Sequence, residues 1–132
     1  GHLDRVADQS VPIVACPRAN AVLDVGRPPI GALLEHTTVA IGTDNVMLNP
    51  PNMFREMAYT ATHFDVSARG VLRMATTAGA DIAGLDCGRI EPGRRAALTV
   101  LDGGSDNLAG SDNPLEAVVR RATPLDVERV VL

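Results

Sequence analysis

Tryptophan and lysine are absent from this 132-residue chain, and its aromatic side chains number three: Phe54, Tyr59 and Phe64. So few rings leave little material for base-stacking platforms, sugar platforms or aromatic cages. Without lysine there is no lysine base, no Schiff-base lysine and no phosphate-loop lysine. All 12 basic residues are arginine. Two cysteines, Cys16 and Cys87, are too few to staple a secreted domain and point to a reducing compartment. No apolar run approaches the about 18–20 residues that a membrane helix needs. The opening Gly1-His2-Leu3-Asp4-Arg5 also lacks the basic-then-apolar order of a secretory signal. These absences predict a soluble, cytoplasmic protein with no membrane contact. A formal net charge of −4 gives no basic surface for a phosphate backbone, so nucleic acid is not an expected partner.

What is present suits a packed core. Hydrophobic residues make up 45% of the chain and charged residues 21%, which excludes a disordered segment and fits one ordinary domain. The first apolar run, Val11 to Cys16, shows no alternation and reads as a strand buried on both faces of a parallel sheet. Gly26-Arg27-Pro28-Pro29 then leads into Ile30, Leu33 and Leu34 at helical spacing, giving a short helix to about Glu35. A second smooth strand, Thr38 to Gly42, closes in Thr43-Asp44-Asn45. Strand, helix and strand in this compass form a parallel crossover unit.

Asn52 is placed to cap a helix carrying Met53, Phe54, Met57 and Ala61, and Ser67 to cap another that weakens between Gly79 and Gly84. From about residue 88 the texture becomes turn-rich. A strand over 96–101, a polar loop over 102–113, a short helix from Pro114 and a last strand over 127–132 follow. Two parallel strands can neither bury both of their faces nor close a barrel. The sequence therefore reads as a piece of a larger architecture.

Asp44, at the C-terminal tip of the second apolar strand, is the most informative position, because catalytic groups of parallel α/β sheets collect at that edge. Gly-Thr-Asp-Asn is also good turn chemistry, so capping the loop is the competing role. Cys16 at the first strand's tip has no Cys or His partner at ligand spacing and reads as a small hydrophobe. Asn20 could orient a ligand or bond its own loop. His36 and His63 stand at helix ends, where a cation is favoured, and neither belongs to a His-x-His pair. The spacing of Asp102, Asp106 and Asp112 does not match a calcium loop.

Taken in order, five blocks resemble the last third of amidohydrolase-superfamily enzymes. They are Val14-Ala15-Cys16-Pro17-Arg18-Ala19-Asn20, Gly26-Arg27-Pro28-Pro29 with Leu33-Leu34, Val39 to Asn45, Met53 to Met57 with Arg73 to Thr76, and Gly88 to Leu98. Asn113-Pro114-Leu115 and Asp126-Val127 extend the pattern to the end of the chain. The branch resembled is that of cytosine, guanine and adenosylhomocysteine deaminases and triazine chlorohydrolases.

The resemblance implies an α/β chain with the last two βα units of a (β/α)8 barrel over 1–87, plus the C-terminal piece of a composite β domain over 88–132. It implies that Asp44 ligates a divalent metal, zinc or iron, and accepts a proton from metal-activated water. It places Asn45 against a small ring substrate whose C–N or C–Cl bond is hydrolysed, and Asn20 stands as a second candidate for substrate contact. The family's barrel histidines have no counterpart here, and the chain is barely half of a typical barrel of about 250 residues. This chain alone is therefore expected to be inactive and to hold metal weakly. Its uncovered strands predict a homo-oligomer. The competing reading is a non-catalytic module that dimerises or binds a partner through the barrel remnant.

Overall fold

The computed structural model describes residues 2–132. Helix α1 spans His2–Gln9, and its Leu3 and Val6, one turn apart, lie against the main core. Strand β1 (Ile13–Ala15) pairs in parallel with β2 (Val39–Ile41) in the register Ile13↔Val39 and Ala15↔Ile41. The ladder runs on at both ends, through Ile13 N–H to Thr38 O (3.0 Å) and Gly42 N–H to Ala15 O (2.9 Å). Between the strands lie α2 (Pro17–Leu23) and α3 (Ile30–Leu34). The sequence foresaw α3 but not α2, and set Asn20 in a loop. Pro17 occupies the first helical position of α2, where its missing N–H costs nothing, and Asp24 ends the helix in the left-handed region at φ 52°.

The two strands are not equivalent. Every residue of β2 is buried, as expected. In β1, Ala15 faces the core while Val14 is 54% exposed, so the expectation of a strand buried on both faces fails there. The helices that pack on the sheet lie over β2, and among the described residues none covers the outer side of Val14.

Helix α4 (Met53–His63) begins at Asn52, whose side chain accepts the Arg55 N–H at 3.1 Å. Ser67 caps α5 (Ala68–Ala75) in the same way. The single helix expected to weaken toward Gly84 is instead two, because the backbone breaks at Thr76 before α6 (Thr77–Ala83). The hydroxyls of Thr76 and Thr77 bond back to Leu72 O (2.7 Å) and Arg73 O (3.3 Å), a local alternative that loosens helices. Ile30, Val39, Val71, Met74 and Val119 are 1% exposed or less and belong to the main core. Its last member, Val119, comes from α7 (Pro114–Arg121), which packs on α4 and α5. Strands β3 (Leu98–Leu101) and β4 (Val127–Val131) form a separate antiparallel pair with an irregularity at Val100/Leu101.

Candidate functional site

The C-terminal ends of β1 and β2 meet closely at Gly42. A Cβ there would stand 3.1 Å from Val14 Cγ1 and 3.3 Å from Cys16 Sγ, so glycine lets the strand ends approach. Two residues on, Asp44 adopts the left-handed conformation at φ 56° and is exposed. Asn45 organises the turn that follows. Its Oδ1 accepts the Met47 N–H at 2.8 Å, and its carbonyl accepts the N–H groups of Leu48 (3.0 Å) and Asn49 (3.3 Å). The turn chemistry legible in Thr43-Asp44-Asn45 thus belongs to Asn45. No hydrogen bond to another described residue ties the Asp44 carboxylate.

Cys16 precedes α2 at the tip of β1 and is half-buried. Burial pushes its thiol above the ordinary range, and the carboxylates of Asp44 and Glu56 push it further. A thiol held protonated is a poor nucleophile, consistent with its reading as a small hydrophobe. Both cysteines are free thiols.

Beneath this edge lies an ion pair that sequence reasoning did not single out. Arg18, in the first turn of α2, donates from Nη1 to Glu56 Oε1 at 3.1 Å and from Nη2 to Asn49 Oδ1 at 3.0 Å. Glu56 is fully buried. Burial raises its carboxyl above the usual carboxylate range, against the pull of the Arg18 guanidinium. A signal was available: Glu56 falls within the stripe Met57, Thr60, Ala61 that α4 buries, and a carboxylate in such a stripe requires a partner.

Asn20 lies elsewhere. Half-buried on α2, it lines a cleft of about 240 Å³ with Asp24, Arg27, Tyr59 and Phe64, which neither Asp44 nor Asn45 borders. The Arg27 guanidinium stands 5.0 Å above the Phe64 ring and donates to the His63 carbonyl. His63 ends α4 with its ring 4.3 Å from that of Tyr59.

Among the described residues no three His, Cys, Asp or Glu side chains are grouped so as to hold a metal ion. Asp44 offers one donor where a zinc centre uses about three protein ligands, so the residues of this chain fit one corner of such a centre and not the whole.

The sequence pattern of the amidohydrolase family matches residues 2–132. The chain belongs to the amidohydrolase family. It is 32% identical over 141 residues to a 5-methylthioadenosine/S-adenosylhomocysteine deaminase of Halobacterium salinarum, covering 99% of this chain and 33% of that protein. Among solved structures, a zinc-bound adenosine deaminase from Xanthomonas campestris superposes with a TM-score of 0.90 at 29% identity, over 99% of this chain and 33% of that one. The zinc complex of atrazine chlorohydrolase from Arthrobacter aurescens shares the fold, with a TM-score of 0.84 at 24% identity over 99% of this chain and 32% of that one. The chain thus spans about a third of the length of the relatives it matches. Its α/β architecture is a partial barrel of this amidohydrolase type, as the sequence led one to expect.

Proposed function

We propose that this chain is the C-terminal portion of a metal-dependent hydrolase that cleaves a C–N or C–Cl bond of a small ring compound. In this reading residues 1–87 belong to the barrel and residues 88–132 to a composite β domain. Asp44 is one ligand of a divalent ion, zinc or iron, and a proton acceptor. Asn45 contacts the substrate ring, whereas Asn20, in a cleft that Asp44 does not border, is left without a place in it. The remaining ligands come from the barrel strands that the longer relatives possess.

The observation that carries the reading is the position of Asp44 in a chain of this family. It stands just past the C-terminal end of the fully buried parallel strand β2, with its carboxylate free of the turn that Asn45 organises. An ionised carboxylate is an acceptor-only group with several lone pairs, so it can hold a cation and take up a proton. The relatives named as deaminases and the zinc-bound neighbours support the same chemistry. The test is Asp44→Ala in the protein at its natural length. The wild type is assayed against amino- and chloro-substituted purines, pyrimidines and triazines. The variant should lose turnover by at least about 1000-fold with an unchanged circular dichroism spectrum. Near-normal turnover by the variant would show that Asp44 does not have this role.

A further inference from the structure

We propose that Arg18 is a positioning residue, whose forked guanidinium locks the Asp44–Asn45 turn to α2 and α4 and so fixes where the Asp44 carboxylate stands. The inference rests on the role of Asp44 proposed above. A continuous path of hydrogen bonds supports it. Glu56 anchors Arg18 at 3.1 Å, Arg18 holds Asn49 Oδ1 at 3.0 Å, and the Asn49 N–H returns to the Asn45 carbonyl at 3.3 Å. Asn45 is the neighbour of Asp44, and its own side chain closes the turn onto Met47.

Asp44 needs such support. Its left-handed backbone is open to aspartate but still depends on what holds it: its N–H meets the Cys16 sulfur, while no side-chain hydrogen bond to a described residue orients its carboxylate. The brace is also a poor device for stability alone. Glu56 Oε2 and Asn49 Nδ2 are buried without a protein partner among the described residues, and a buried ion pair with unsatisfied atoms is commonly matched or exceeded by apolar side chains. What a guanidinium bridging two partners supplies that apolar side chains do not is a defined geometry between two segments.

That contrast gives the experiment. The double variant Arg18→Met, Glu56→Leu, made in the protein at its natural length, removes both charges together, so neither is left buried and unpaired. It should stay folded with a cooperative melt, its midpoint lowered only by the cost of the Asn49 amide oxygen left without Arg18. Amide exchange at Leu48 and Asn49 should quicken at least tenfold while the Gly42 amide in the β ladder keeps its protection. Turnover should fall at least tenfold in kcat with KM within twofold. Wild-type exchange at Leu48 and Asn49, or a kcat that falls only in proportion to the folded fraction, would overturn the proposal. Should the wild type hydrolyse none of the ring compounds, the reading of Asp44 as a catalytic ligand fails, and the exchange rates still decide whether Arg18 holds the turn.

Discussion

Asp126 shows how much one side chain can organise. Buried in the turn before β4, it accepts the Thr123 N–H at 2.7 Å, the Thr123 hydroxyl at 2.9 Å and the Asn107 amide at 3.0 Å. Its carbonyl receives the Asp102 N–H at 2.8 Å, so the polar loop over 102–113 is fastened to the turn before β4 at its start and at its middle. The Ser105 hydroxyl first, then the Thr123 N–H, the Asn107 amide and the Thr123 hydroxyl, hold the Asp126 carboxyl down at about 2. A carboxyl depressed in the folded state stabilises it above the ordinary value near 3.8, and that contribution is lost as pH falls through about 2. Stability should therefore decline between about pH 4 and pH 2. Asp126→Asn should flatten that decline and lower the melting temperature at neutral pH, as thermal melts across this range would record. The sequence marked Asp126 only as part of a family pattern. Part of that depression comes from Asn107, 19 residues upstream, which no local reading connects to it.

Among the elements, α4 was the most legible, because its cap and its apolar spacing agree. Asn52 satisfies a backbone donor at the helix start, and Met57 and Ala61 recur one turn apart on the buried face. Asn52→Ala should cost about 1 kcal/mol, read as a lower denaturation midpoint in urea with unchanged slope. The same residue pattern hid α2, where Pro17 and polar Arg18 and Asn20 resemble a loop until Glu56 and Asn49 supply partners for Arg18. It also merged α5 and α6, since the break at Thr76 depends on hydroxyls turning back to the helix backbone rather than on a glycine or proline. Helix α7 shows the complementary case. Asn113, Pro114 and the closing arginines announce it, yet its attachment through Arg120 Nη1 to Ala61 O at 3.0 Å is a contact across 59 positions.

At the scale of the whole molecule, apolar side chains remain exposed around β1 and along α2. Val11, Val14, Val22, Leu23 and Val25 are 43–66% exposed, and the parallel sheet has only two strands among the described residues. Strand edges of this kind pair with further chain, and contiguous apolar patches of several hundred Å² seldom stay in water. The 132-residue chain by itself should therefore associate as a two-fold dimer. Sedimentation equilibrium should return about twice its 13.8 kDa, and Val14→Asp should shift it toward the monomer. A wild-type monomer at micromolar concentration would show that this surface is tolerated by the isolated chain.

Local sequence was enough to mark the two apolar runs as strands, the capped starts of α4 and α5, the short helix from Pro114, the two strands of the tail and the position of Asp44 at a strand end. Each of these depends on neighbours within a few residues, through periodicity, proline or a capping side chain, so local order suffices. The tertiary structure alone decided that Val14 faces outward, that Asn20 lies in a different cleft from Asp44, and that Arg18, Asn49 and Glu56 converge. Those outcomes follow from burial. A guanidinium and a carboxylate 38 positions apart meet only because packing removes both from water and leaves each the other's partner.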